Sequence, residues 1–209
     1  MTEIIDLKKQ YAAYYNPPAR PVILTVPTFN YLKVDGAGNP NNNPQFQSAT
    51  EALYALSYTI RFAYKAAADA AYTVMPLEGL WWAQDMSTFL TRDKSAWQWT
   101  LMILQPDFIS AELVAQSRAE ALRKKKISAE QLDALRFEPY AAGECITMLH
   151  TGTYDAETEN IALMHRTACE QGYELAGLHQ EIYLSDPRKT APEKMKTVLR
   201  QPIRKADTI

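Results

Sequence analysis

The stretch at residues 22–34 reads VILTVPTFNYLKV, and it decides the fold that the sequence predicts. β-branched and aromatic side chains dominate it, and Asp35-Gly36 follows as a turn, which is the pattern of a β-strand. A helix is expected next, because apolar residues recur at steps of three and four over residues 46–66. Short strands at residues 72–75 and 77–83, on either side of Pro76, and a strand at residues 97–104 complete the order strand, helix, strand, strand.

The second half of the chain repeats that order. A strand is expected at residues 144–150, then a helix capped by Asp155 that ends near Gly172, then strands at residues 181–184 and 195–203. Two helices, at residues 110–126 and 128–135, come between the halves.

This element order predicts an α+β protein in one domain at residues 21–204. Its duplicated βαββ units, at about residues 21–104 and 140–204, form an antiparallel sheet with helices on one face and a concave ligand cleft on the other. Residues 1–20 are expected to be a polar leader with a short helical piece, and residues 205–209 a tail.

Composition excludes several classes of function. Lys and Arg number 22 against 24 Asp and Glu, a net charge of −2, which argues against a nucleic-acid partner. The sequence shows neither a signal peptide nor an apolar stretch long enough for a membrane helix, and Cys145 and Cys169 are expected to be reduced thiols, so we expect a cytoplasmic protein. The three histidines match no metal-ligand spacing, and we expect no metal and no cofactor.

Strand alternation sorts the candidate site residues. Glu181 and Tyr183 share one face of their strand, and Ile182 and Leu184 share the other, which we expect to lie under the helices. The same rule groups residues in three more strands; the groups are Glu78, Leu80 and Trp82, then Trp97 and Trp99, then Glu144, Ile146, Met148 and His150. A face that collects tryptophans and carboxylates indicates an aromatic cleft containing one or two acids, although a strand glutamate is more often solvated or paired in a salt bridge.

Three motifs go further. EIYLSDPRKTAPEK at residues 181–194, PLEGLWW at 76–82 and GTYD at 152–155 occur in the order typical of the GyrI-like small-molecule-binding family, which the chain resembles over roughly residues 20–204. The resemblance implies a duplicated βαββ unit whose concave surface binds planar or cationic small molecules. Only about 20 residues precede the first strand, too few for the DNA-binding domain that some family members carry.

The PLEGLWW block is similar to that of stand-alone members that hydrolyse the cyclopropane of planar DNA-alkylating toxins. By motif match, Glu181 is the family's central pocket glutamate. We expect Glu181 to activate water, with Tyr183 or Glu78 stabilising the oxygen on which charge develops. The expected ligand-binding residues are Trp81, Trp82, Trp99, Tyr140 and His150.

Two other functions stay open at this point. The same pocket serves a protein that only sequesters planar or cationic toxins, with Glu181 neutralising ligand charge and the tryptophans stacking on it. Some family members resemble inhibitors of DNA gyrase, but the near-neutral charge does not favour mimicry of DNA. The sequence leaves the substrate and the oligomeric state undetermined.

Overall fold

The computed structural model describes residues 3–41, 43–84 and 93–206, and the chain forms two compact units. The first unit comprises Met1–Gln10 and Phe29–Tyr140, and the second comprises Tyr11–Thr28 and Ala141–Ile209. Both contain helices and antiparallel strands, which confirms the predicted mixture of α and β structure.

The described strands are β1 (Glu3–Ile5), β2 (Val22–Ala37), β3 (Ala70–Tyr72), β4 (Leu77–Ala83), β5 (Trp97–Gln105), β6 (Arg136–Thr151), β7 (Tyr173–Leu175), β8 (His179–Tyr183) and β9 (Lys196–Lys205). The described α-helices are α1 (Leu7–Gln10), α2 (Ala12–Tyr15), α3 (Pro44–Ala68), α4 (Ala111–Arg123), α5 (Ala129–Ala134) and α6 (Glu157–Glu170).

The N-terminal segment is more ordered than the sequence predicts. Two short helices, α1 and α2, replace the single helical piece that we expected, and β1 precedes them. β1 pairs in parallel with β3, where Ile4 lies opposite Ala71. A strand of three residues shows no measurable alternation, so periodicity could not have found it.

The long helix of the first unit starts where local chemistry favours it. Asn43 Oδ1 accepts a hydrogen bond from the backbone amide of Gln45 at 2.9 Å, and Pro44 occupies the first turn, where a missing amide costs nothing. α3 then runs 25 residues and ends at Asp69, whose φ of 48° lies in the left-handed region. Its buried side includes Leu53, Leu56 and Ile60.

α3 lies over a cluster of aromatic rings. In the antiparallel ladder of β2, β5 and β4, Trp99 lies opposite both Gly36 and Trp81, so the three positions share a face. Phe46 of α3 stacks on Trp81 at 6.2 Å between ring centroids and meets Trp99 edge-on at 5.2 Å. Trp97 meets Trp81 edge-on at 5.8 Å. We call Phe46, Trp81, Trp97 and Trp99 the aromatic cluster.

Gly36 is needed because of that cluster. A Cβ at this position would lie 2.0 Å from the Trp99 ring, far inside van der Waals contact. The absence of a side chain at Gly36 therefore gives the indole of Trp99 its space, and Trp99 is completely buried.

The second unit is built on a ladder of β6, β9 and β8. Leu199 of β9 lies opposite both Met148 of β6 and Glu181 of β8, so the three share one face. Leu199 and Met148 pack in a core with Met164 of α6. Glu181 therefore lies on the face that α6 covers.

The expected assignment of the two faces of β8 was therefore wrong. We expected Ile182 to lie under the helix and Glu181 to face the open side, but α6 covers the face of Glu181. Ile182 is nevertheless fully buried on the opposite face. Alternation separated the two sets correctly, but because both faces of β8 are covered, it could not show which one the helix contacts.

The start of α6 also differs from the prediction. Asp155 does not cap the helix, because a single 3₁₀ turn at Tyr154–Ala156 leads directly into α6 and Ala156 occupies the N-cap position. The backbone amide of Ala156 donates to the carbonyl of Thr153 at 3.0 Å, so the turn is closed by main-chain bonds. As a result Glu157 becomes the first residue of α6 and enters its buried side with Met164 and Ala168.

None of the helices in the described ranges has the length and apolar character needed to cross a bilayer.

Candidate functional site

Two glutamates of the second unit come together between β8 and the start of α6. Glu181 is on β8, and Glu157 is the first residue of α6. Their interaction is direct enough for Glu181 to affect the proton affinity of Glu157 through both its charge and its hydrogen bonding. We call Glu157 and Glu181 the acid pair.

Tyrosines surround the more accessible member of the acid pair. The hydroxyl of Tyr183 donates to Glu181 Oε2 at 2.7 Å, and Tyr154 meets the Tyr183 ring edge-on at 5.7 Å. The Glu181 side chain keeps 16% of its surface exposed and Tyr154 keeps 40%, so both side chains are accessible to solvent. Burial, with the nearby charges of Glu157 and Glu181, raises the pKa of Tyr154 to about 12, so this phenol stays protonated and can donate.

Glu157 is the protonated member of the pair. Only 3% of it is exposed, and its Oε1 has no hydrogen-bond partner among the described residues. Burial first, and then the charge of Glu181, raise the pKa of Glu157 from 4.5 to about 9, while the Thr197 hydroxyl acts in the opposite direction. At neutral pH Glu157 therefore carries a proton beside a carboxylate, and the pair has one negative charge.

His179 lies next to the acid pair but does not form an ion pair with it at neutral pH. Its Nε2 is 3.8 Å from Glu181 Oε1, on the same face of β8. Burial, followed by the nearby His165, lowers the pKa of His179 to about 4. The imidazole is therefore neutral above that pH and leaves the charge of Glu181 in place.

His150, predicted to bind ligand, is buried and fully bonded within the second unit. Its Nε2 lies 3.0 Å from the carbonyl oxygen of Thr153, which can only accept, so the proton belongs on Nε2. Asn160 Nδ2 then donates to His150 Nδ1 at 2.8 Å. His150 thus ties the turn before α6 to the first turn of that helix, and a direct contact with ligand stays a prediction.

Glu78, the other predicted acid, belongs to the first unit. It is completely buried on β4, and Tyr31 donates to its Oε2 at 3.4 Å. Tyr140, predicted to bind ligand, meets the Tyr31 ring edge-on at 6.2 Å, and Lys33 Nζ lies 5.5 Å from the centroid of the Tyr140 ring. Glu78 and Tyr140 are thus linked through Tyr31.

The three predicted tryptophans divide between core and surface. Trp81 and Trp99 are members of the aromatic cluster under α3, and both are buried. Trp82 is partly exposed, and its Nε1 donates to Gln98 Oε1 at 3.1 Å. The described geometry thus brings Glu181 together with Tyr183, and Trp81 together with Trp99. A role in ligand binding stays a prediction for all three tryptophans.

Sequence reasoning missed Glu157, although the sequence contains a signal for it. Glu157, Ile161, Met164 and Ala168 recur at steps of four, three and four, which is the spacing of one helix face. The last two are fully buried. A glutamate at the head of an apolar stripe is expected to be buried, and buried acids are candidates for chemistry.

Metal binding has no support in the described part of the chain. No group of three or more His, Cys, Asp or Glu residues there is placed so that it could hold a metal ion.

A partly exposed carboxylate beside phenol rings is the kind of polar group that orients a bound small molecule in a protein site. The chain belongs to the GyrI-like family, since the model of the GyrI-like small molecule binding domain matches residues 20–204.

Solved structures from Listeria innocua are similar over almost the whole chain. One, a conserved protein, is 36% identical and has a TM-score of 0.88, with 96% of this chain and 100% of that chain covered. Two structures described as hydrolases are 34% and 35% identical, with TM-scores of 0.83 and 0.86; they cover 96% and 97% of this chain and 100% of their own. The search of curated proteins finds no match.

Proposed function

We propose that this protein is a hydrolase that detoxifies planar DNA-alkylating compounds by adding water to their cyclopropane ring. The observation that carries the proposal is the acid pair, in which a carboxylate held by Tyr183 lies beside a protonated carboxylic acid. The similarity to two structures described as hydrolases, at 34% and 35% identity, supports hydrolysis over binding alone.

The chemistry needs one base at the ring carbon. Glu181 accepts a proton from water, the water oxygen forms a bond to the cyclopropane carbon, and that carbon's bond to the ring system breaks. The electron pair moves through the conjugated dienone to its carbonyl oxygen, which becomes a phenol by taking a proton from solvent, and Glu181 returns the proton it accepted to solvent. Because the ring system becomes aromatic, a single positioned base contributing about 10²–10⁴ in rate is sufficient.

Glu157 keeps the base, Glu181, in its ionised form. Two ionised carboxylates in contact repel each other, so the buried member holds a proton and Glu181 keeps the charge. The hydroxyl of Tyr183 donates to Glu181 Oε2, which fixes the direction in which the carboxylate points. Tyr183 therefore positions the base, and the partly exposed ring of Tyr154 offers a surface against which a flat substrate can pack.

The reaction also needs a group that stabilises the negative charge developing on the carbonyl oxygen of the dienone. Tyr183 or Glu78 was expected in that role, and Glu78 is completely buried and accepts a hydrogen bond from Tyr31. Glu78, Trp82 and Tyr140 stay predicted site residues on the strength of the sequence.

The test is to incubate the protein with a cyclopropane-bearing duocarmycin-type compound and to follow the gain of one water by mass spectrometry. We expect many turnovers, and a fall of about 10²–10⁴ in rate for Glu181→Gln with binding retained. Glu144→Gln is the matched control, because Tyr173 donates to Glu144 Oε1 at 3.0 Å in the same way, but at β6. Tight binding without a mass change would replace hydrolysis by sequestration, and a fully active Glu181→Gln variant would remove Glu181 from the mechanism.

A further inference from the structure

A row of three side chains crosses the ladder of the second unit beneath the start of α6. Thr197 of β9 lies opposite Tyr183 of β8 and opposite His150 of β6. Residues in direct register on antiparallel strands point to the same face with Cβ atoms about 5 Å apart. The row lies two residues from Leu199 along β9, and so on the face that α6 covers.

The two outer members of this row each hold one part of the acid pair. Tyr183 donates to Glu181 Oε2 at 2.7 Å. His150 bonds to the carbonyl of Thr153 at 3.0 Å and to Asn160 at 2.8 Å, which fixes the first turn of α6 and with it the backbone of Glu157. The hydrogen bonds of both outer members are thus used to place the two acids.

The middle member, Thr197, is close enough to Glu157 for its hydroxyl to lower the pKa of that carboxyl group. Thr197 is completely buried, and within the described residues its Oγ1 makes no hydrogen bond of ordinary geometry. Glu157 Oε1 is likewise buried and has no hydrogen-bond partner in the part of the chain that the structure describes. A hydroxyl hydrogen rotates freely about its C–O bond, so the Thr197 hydroxyl can turn toward an oxygen of the neighbouring carboxyl group. Valine would fill the same buried strand position without a polar atom. A buried hydroxyl at this position therefore indicates a polar role for Thr197.

We propose that Thr197 is a positioning residue, whose hydroxyl orients the Glu157 carboxyl so that its proton is directed to Glu181. The inference rests on the acid pair of the proposed function and adds the group that aligns it. Thr197 does not contact the reacting atoms, and it acts through Glu157 alone.

The direct test is a titration of the Glu157 carboxyl by carbon-detected NMR in the free protein, with the signal assigned from Glu157→Gln. We expect the titration midpoint to move to higher pH in Thr197→Val, because the hydroxyl now lowers the pKa of Glu157. Thr197→Ser keeps the hydroxyl and should titrate as the parent does. If Thr197→Val fails to fold, Thr197→Ala provides the same comparison with a smaller side chain.

Thr147→Val is the matched control. Thr147 is also completely buried and lies on the neighbouring strand β6, but its Oγ1 donates to the carbonyl of Leu199 at 2.8 Å. Removing that hydroxyl should leave the titration of Glu157 unchanged. An unchanged midpoint in Thr197→Val, or an equal shift in Thr147→Val, would overturn the proposal.

A second measurement separates this inference from the proposed function. In the hydration assay we expect Thr197→Val to lower kcat by about 3- to 10-fold with KM unchanged, and Thr197→Ser to restore it. If the parent protein hydrates nothing but the titration behaves as expected, the hydrolase function fails and the positioning role of Thr197 stands. An unchanged kcat beside a parent-like titration removes the role of Thr197 altogether.

Discussion

The helices α3 and α6 cover surfaces of opposite chemistry. α3 packs on the aromatic cluster, in which Phe46 contacts both Trp81 and Trp99. α6 packs on an aliphatic core that ends, at the start of the helix, in the acid pair. In the first case burial stabilises the fold, whereas in the second it changes the proton affinity of a carboxyl group.

This difference shows that burial alone does not identify a site. Trp99 is completely buried and Glu157 is 3% exposed, but burial of the indole, whose N–H has no hydrogen-bond partner among the described residues, has the same cost at every pH, whereas the buried carboxyl group must keep a proton. The stability of the first surface should therefore be independent of pH, and that of the second should change with pH.

The largest expected effect is on stability, from Trp99→Ala. The substitution removes a fully buried indole that contacts Phe46 and lies over Gly36. We expect a loss of about 3–5 kcal/mol in the free energy of unfolding, measured by urea denaturation, at both pH 6 and pH 9. Trp82→Ala is the control, because Trp82 is partly exposed and should cost clearly less. A loss below 1 kcal/mol for Trp99→Ala would mean that the aromatic cluster is not part of the core.

Glu157→Gln should change the pH dependence of stability. The pKa of Glu157 is raised in the folded state to about 9 from 4.5, so its favourable contribution is complete below pH 4.5 and is lost as the pH rises to about 9. Glutamine cannot ionise, so the variant should be more stable than the parent at pH 9, by on the order of 2 kcal/mol, and its stability should change less with pH.

Urea denaturation between pH 4 and pH 9 checks this prediction. Glu159→Gln is the control, because Glu159 lies two residues along α6 and is exposed. If the two variants show the same pH dependence of stability, Glu157 is ionised in the folded protein and the acid pair does not share a proton.

Tyr183→Phe should have the smallest effect on stability and a separate effect on activity. It removes the hydroxyl that donates to Glu181 Oε2 at 2.7 Å, at a cost of about 1–2 kcal/mol in unfolding free energy. Tyr173→Phe removes a similar bond to Glu144 at 3.0 Å and should cost a similar amount. Only Tyr183→Phe should lower kcat for hydration, which steady-state kinetics can show; equal kcat values would mean that Tyr183 does not position the base.

Most of the fold could be predicted from the sequence, because the periodicity that marks a helix or a strand is a property of residues close together in the chain. Alternation paired Glu181 with Tyr183 and separated them from Ile182, and the ladder of β8 and β9 bears out that separation. Helix spacing predicted α3, and the helix expected at residues 110–126 corresponds to α4, each to within a few residues of its ends. The short strands β1 and β7 were missed because three residues carry no period.

The candidate site was harder to predict, since it depends on which elements meet. The pairing of Trp81 with Trp99 depends on the register of two strands, which no local pattern specifies, and their packing on Phe46 depends on where α3 lies. Glu157 was overlooked because Asp155 was expected to cap the helix. The 3₁₀ turn that moves the helix start to Glu157 is closed by backbone bonds, and these leave no signature in the side chains.

Gly36 and Trp99 limit how this chain can evolve. The indole occupies the volume of an absent side chain, so any residue with a Cβ at position 36 meets the ring at 2.0 Å unless the tryptophan changes as well. A smaller residue at position 99 alone leaves a cavity, and cavities in packed cores are costly. Neither position can change alone without loss, so among relatives a larger residue at one should accompany a smaller residue at the other.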